Sequence, residues 1–125
     1  MPDHAATIAQ AFAAYIRKDR AMIEPLLAEG LRFTSAYDDA IDRETYFGRC
    51  WPNSARFTGV EVERVFVEGD AAYVTYLLSV EGGAQFRNTE YMTFDPDGRI
   101  ATIQVFFGEH YRDGGFATKR ESYDG

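Results

Sequence analysis

Cysteine is almost missing from this chain. Cys50 is the only one in 125 residues, which excludes an internal disulfide framework and suits a reducing compartment. Lysine is nearly as scarce: Lys18 and Lys119 stand alone, and the other basic residues are arginines, scattered rather than run together. Thirteen basic residues against 20 acidic ones leave a net charge of −7. Nucleic acid and anionic membrane both need clustered cations, so neither is expected as a partner. No apolar run approaches the ~18 residues of a membrane span. Met1-Pro2-Asp3-His4 offers neither a basic n-region nor an apolar h-region, so no signal peptide is visible and cytoplasmic residence is the expectation. His4 and His110, the only histidines, lie far apart and lack the spaced partners of a metal site. No phosphate-cradling glycine loop, Walker motif or Ser-His-Asp order occurs, and Cys50 carries no signature of an activated nucleophile. No metal and no cofactor are expected.

What the chain does have is apolar and aromatic mass: 46% hydrophobic and 15% aromatic residues, enough for a packed core in one domain spanning 1–125. Its organising stretch is a meander. Strands are expected at Arg56–Glu68, Ala71–Glu81, Gln85–Phe94 and Arg99–Phe107. Between them lie Glu68-Gly69-Asp70, Glu81-Gly82-Gly83 and Asp95-Pro96-Asp97-Gly98, rich in turn formers. Loops that short join only antiparallel neighbours. In the first strand Val60 and Val62 sit at even positions but Val65 and Val67 at odd ones. A strand alternates faces strictly, so a β-bulge near Glu63-Arg64 is required, and it should bend the sheet sharply.

The N-terminal half reads as helices. Asp3 can cap a helix over Ala5–Lys18 with Ile8, Phe12, Tyr15 and Ile16 on one face. Asp19 can cap a second, through Met22, Ile23, Leu26 and Leu27 and closed by Gly30, with Pro25 kinking it or tightening it to a 3₁₀ turn. Leu31–Ser35 is a brief strand and Ala36–Ala40 a loop. Asp42 caps the third helix, Ile41 can staple onto Tyr46, and Pro52 stops it after Trp51. The core spans about 5–110, and the tail 111–125 is polar and should lie over the surface or the cone mouth. The fold class is therefore α+β: three N-terminal helices packed in the concavity of a strongly bent antiparallel sheet, a cone or half-barrel. The second strand is apolar on both faces, which suggests a homodimer through the outer face.

This order of elements resembles the nuclear transport factor 2-like superfamily, the cystatin-like cone shared by ketosteroid isomerase, SnoaL-like polyketide cyclases and limonene epoxide hydrolase. The anchors are Phe12-Ala-Ala-Tyr-Ile-Arg-Lys-Asp19, Asp42-Arg-Glu-Thr-Tyr-Phe-Gly-Arg-Cys-Trp-Pro52 and Val105-Phe-Phe-Gly-Glu109. The resemblance implies a pocket inside the cone. Ketosteroid isomerase places an acid on the third long strand, which falls on Glu90. Its helix-one tyrosine falls on Ala11 or Phe12, with Tyr15 a turn further. Its base falls on Ser35, which cannot serve, although Asp38 and Asp39 follow.

Glu90 is the leading catalytic candidate, with Asp38 and Tyr15 as auxiliaries. Phe86, Asn88, Glu90, Met92 and Phe94 share the more apolar face, so a carboxyl there should be pushed towards its neutral form and act as a general acid or hydrogen-bond donor. The competing expectation pairs Glu90 with Arg49 or Arg43 from helix three as a structural tie. Asp38 and Asp39 could equally be a solvated turn. Phe12, Phe33, Tyr37, Trp51, Met92, Ile103, Val105 and Phe107 are the expected ligand-binding wall, and the same aromatics could equally be plain core. The function expected is a small-molecule pocket protein, an isomerase, cyclase or lyase working by acid–base chemistry on an apolar carbonyl compound. The alternative is a non-catalytic ligand-binding or dimerisation module.

Overall fold

The computed structural model describes residues 3–117. Helix α1 (His4–Arg17) starts where Asp3 accepts a hydrogen bond from the Ala6 amide at 3.0 Å, and ends with Lys18 in the left-handed region at φ 56°. A lysine tolerates that conformation at a cost of roughly 1 kcal/mol, and here its ammonium donates to the Phe57 carbonyl at 3.0 Å. Asp19 caps the short α2 (Arg20–Ile23), and Pro25 falls within a 3₁₀ turn over Glu24–Leu26. The chain is already extended by Leu27, so β1 (Leu27–Thr34) is longer than expected and Gly30 lies inside it rather than closing a helix. Asp42 caps α3 (Arg43–Arg49), taking the Thr45 amide at 2.8 Å. That bond holds the exposed Asp42 carboxyl below the usual range. Trp51–Arg56 forms a second 3₁₀ turn, which moves the start of the first long strand to Phe57.

The meander follows as β2 (Phe57–Glu68), β3 (Ala71–Val80), β4 (Ala84–Phe94) and β5 (Ile100–Arg112), with β6 (Gly115–Ala117) folding back on β5. The sheet order is β1-β5-β4-β3-β2; β1 lies parallel to β5, and the other described strand pairs are antiparallel. In β2 the pairing steps from Val62 opposite Tyr76 to Arg64 opposite Thr75, leaving Glu63 as the extra residue. The expected bulge is therefore present, and Val60, Val62, Val65 and Val67 all face the same side. A further irregularity lies in β5, where Gly108 and Glu109 together oppose Arg87.

The helices cover the concave side of this α+β cone. Ile8, Ala14, Ile23, Leu31, Tyr46, Val74, Phe86 and Ile100 form its dry centre. Strand β5 continues past residue 110, so the first part of the expected tail is sheet; residues 118–125 lie outside the described chain. His110 is buried, and its ring stacks on Phe86 at 4.7 Å and 5°. His4 is buried too. It stacks on Phe94 at 3.9 Å and its Nε2 lies 2.9 Å from Asp70, tying the start of α1 to the β2–β3 turn. Among the described residues no helix is long and apolar enough to cross a membrane.

Candidate functional site

The concave face of the sheet and the helices enclose a cavity of about 110 Å³. Its walls are apolar, with Phe12, Phe33, Leu78, Met92, Ile103, Val105 and Phe107 among them. By comparison, a dry protein cavity of ~150 Å³ holds benzene, so the space as it stands suits a ligand of about one ring or less. Two carboxyls line it: Glu90 rises from the sheet, and Asp38 comes from the loop after β1.

Glu90 is half-buried, and the group it meets is a phenol. The Tyr76 hydroxyl donates to Glu90 Oε2 at 2.5 Å, and Asn88 Nδ2 donates to the same tyrosine oxygen at 3.4 Å. Tyr76 and Asn88 are register partners across β3 and β4, and Glu90 sits one inward-facing position further along β4. Both Tyr76 and Asn88 are buried, at 5% and 1% exposure. Removal from water pushes the Glu90 carboxyl up to about 7, with the Tyr76 hydrogen bond pulling the other way. Among the described residues no guanidinium reaches it. Arg49 lies 2.9 Å from Asp38, and Arg43 donates to the Glu24 carbonyl at 2.7 Å. The expected tie between Glu90 and Arg49 or Arg43 is thus replaced by Tyr76, because α3 directs its arginines at the loop and at the 3₁₀ turn before β1.

Asp38 departs from the expectation of a solvated turn. Its side chain is 8% exposed. Oδ2 accepts from the Ser35 hydroxyl at 2.8 Å and lies 3.9 Å from the Cys50 thiol. Oδ1 is ion-paired with the Arg49 guanidinium, 2.9 Å from Nη2. Asp39, next in the chain, is exposed.

Tyr15 lines the cavity, its ring 4.8 Å from Trp51 and 6.0 Å from Phe57. Trp51 itself is not in the wall; it packs behind Tyr15 and against Phe47. Tyr37 is 56% exposed and leans on Phe107 at 5.6 Å, at the rim. Sequence reasoning placed Tyr76 only as an apolar-face residue and Asn88 only as a neighbour of Glu90. The signal that finds them is the hairpin: counting equal steps outward from Gly82 sets Tyr76 opposite Asn88 and Val74 opposite Glu90. Among the described residues no cluster of histidine, cysteine and carboxylates is arranged to hold a metal ion.

No protein-family model matches the sequence, and no curated protein does. Solved structures do. A protein from Kribbella flavida superposes with a TM-score of 0.75 at 18% identity, over 82% of this chain and 84% of that one. An NTF2-like protein of unknown function from Cytophaga hutchinsonii gives 0.70 at 15% identity, over 86% and 92%. An LEH-like epoxide hydrolase from M. tuberculosis gives 0.68 at 20% identity, over 84% and 82%. At such identities the likeness is one of backbone. The chain has the NTF2-like, cystatin-like fold.

Proposed function

We propose that this protein is an acid–base enzyme acting on a small apolar carbonyl compound, as an isomerase, cyclase or lyase, with Glu90 as the proton carrier. The observation that carries this reading is a carboxyl in the wall of an apolar cavity, fixed by Tyr76 through one oxygen and held near neutrality by burial. A group titrating near 7 is ready to take and return protons at working pH. In the simplest step Glu90 Oε1 removes a proton from the carbon next to the substrate carbonyl. The C–H electrons form the enolate double bond and the carbonyl electrons move to oxygen. The proton then returns to the same carbon or to one further along. Tyr76 keeps the acceptor oxygen oriented, and Tyr15 and Asp38 are auxiliaries in the same wall. The small cavity also favours a second reading, a non-catalytic binder in which Glu90 only anchors a ligand. The proposal extends to cytoplasmic residence, which a single cysteine in the sequence suits, and to a homodimer through the outer face of the sheet.

The test is deuterium exchange α to the carbonyl of cyclohexanone and acetophenone, followed by NMR in heavy water. Exchange above the buffer rate is expected for the wild type, falling roughly 10²–10⁴-fold in Glu90→Gln while the fold is kept. Tyr76→Phe should retain exchange but shift its pH profile upward, since the bond that lowers the Glu90 pKa is gone. Binding without exchange would hand the lead to the non-catalytic reading.

A further inference from the structure

Glu90 stands at the end of a chain of two hydrogen bonds that begins at a buried amide. Asn88 Nδ2 donates to the Tyr76 hydroxyl oxygen at 3.4 Å, and that hydroxyl donates to Glu90 Oε2 at 2.5 Å. The strands dictate this order. Tyr76 and Asn88 are register partners across β3 and β4, and Glu90 is the next residue of β4 on the same face. Val74 and Val105, the register partners of Glu90, carry no charge. The direction of the chain follows from its proton count. A phenol has one proton to give, and Glu90 Oε2 takes it. The Asn88 group turned to Tyr76 is therefore the donor, since a carbonyl there would meet no proton. Asn88 is 1% exposed, so bulk water does not compete for the bond.

We propose that Asn88 is a positioning residue for Glu90: by donating to Tyr76 it fills the accepting side of the phenol, fixes the phenol proton on Oε2 and confines the proton that Glu90 carries to Oε1. This deepens the proton-carrier reading and rests on it. Without the amide, a neutral Glu90 could turn its own proton onto the Tyr76 oxygen and withhold it from a substrate. With the amide in place, Oε2 only accepts and Oε1 is the oxygen left to take and return protons. A donor on the phenol oxygen also strengthens the bond that the phenol makes to Oε2, and a stronger bond to the charged form favours the carboxylate. Asn88 thus pulls the Glu90 titration downward through Tyr76. The other titratable or charged side chains lining the cavity are Tyr15 on α1, Tyr37 and Asp38 in the loop after β1, and Tyr46, Arg49 and Cys50 at α3. None of these contributes to the Glu90 shift, whose causes are burial and the Tyr76 bond.

Carbon-13 NMR of protein labelled at its glutamate carboxyl carbons tests this, with the Glu90 signal identified by its loss in Glu90→Gln. The wild-type midpoint is about 7. Asn88→Leu should raise it by roughly half a pH unit, whereas Asn88→Leu added to Tyr76→Phe should leave the midpoint of Tyr76→Phe where it stood. An equal rise in both backgrounds would mean that Asn88 acts by burial alone. A fall or no change on the wild-type background would mean that the chain runs the other way or is not coupled. Each of these overturns the proposal. If Asn88→Leu fails to fold, the Asn88 side-chain nitrogen of otherwise unaltered protein serves instead. Its resonance should follow the Glu90 titration and lose that dependence in Tyr76→Phe; a dependence that survives there overturns the proposal. No ligand enters these measurements, so absence of deuterium exchange removes the proton-carrier reading while the role of Asn88 is decided separately.

Discussion

Glu90 couples the site to stability as well as to chemistry. Its folded pKa near 7 lies above the ordinary 4.5 of a glutamate, so the folded state holds its proton more tightly than the unfolded chain does. The contribution is therefore fully present below about pH 4.5, is lost as pH rises towards 7, and is flat above that. At about 1.4 kcal/mol per pKa unit, the ceiling is about 3 kcal/mol, and water in the cavity will reduce it. Asp42 and Glu63 shift in the opposite direction, each through a hydrogen bond to its charged form, and lose their contributions as pH falls. The difference between wild type and Glu90→Gln isolates the buried carboxyl. Urea unfolding at pH 4.5 and 8 should show the variant gaining on the wild type at the higher pH. A constant difference between the two would place Glu90 in contact with bulk water.

The bulges shape the strands, and they are testable at the level of the element. Gly108 lies where β5 carries two residues opposite Arg87, and a Cβ added there would stand 2.7 Å from the Arg87 carbonyl oxygen. Backbone cannot yield as a flexible side chain can, so Gly108→Ala should cost about 1–3 kcal/mol in chemical denaturation. An unchanged midpoint would mean that the strand slides to relieve the contact. On the opposite face from the cavity, Arg87 crosses the sheet. It bonds Glu63 twice at 2.9 Å, Glu109 at 2.9 Å and Tyr111 at 3.1 Å. Those bonds raise the arginine pKa further and hold Glu63 below the usual range. Glu63 is the bulged residue itself, so the network pins the extra residue of β2 to the centre of the sheet.

At the scale of the whole molecule the outer sheet face carries an apolar row. Phe66, Tyr73 and Tyr91 are register neighbours across β2, β3 and β4, with Phe106 on the same face of β5. Phe66, Tyr73 and Phe106 are 67%, 51% and 48% exposed. Aromatics exposed in a row on a sheet are the kind of surface that a second copy covers. The expected result in sedimentation velocity is a dimer for the wild type and a monomer for Tyr73→Glu, with the far-ultraviolet spectrum unchanged. A wild type that sediments as a monomer across the micromolar range would remove the homodimer from the proposal. Helix α1 and the cavity lie on the other side of the sheet, so this substitution should leave ligand binding alone.

Much of this architecture follows from the sequence by itself, because its signals are local. Asp3, Asp19 and Asp42 each cap the helix that follows within three residues. Gly69, Gly82 and Gly98 turn the chain at positive φ, and each turn sets the register of the strands it joins. The switch from even to odd valines in β2 specifies the bulge without reference to any distant residue. The face of Glu90 is fixed the same way, by alternation along β4. What only the tertiary structure decided are contacts between segments that local rules do not connect. The pairing of β1 alongside β5 is one, since a parallel neighbour leaves no turn to betray it. Arg49 is another: its helix was legible, but the rotation of α3 against the loop gave it to Asp38 and left Glu90 to Tyr76. Trp51 went behind Tyr15 because a 3₁₀ turn, rather than one more turn of α3, carries it away from the cavity. Burial of Asp38 arose likewise, from a loop folded under Arg49 and Cys50. Local chemistry set the elements and their faces, and the closing of the helices over the sheet chose which polar groups meet inside.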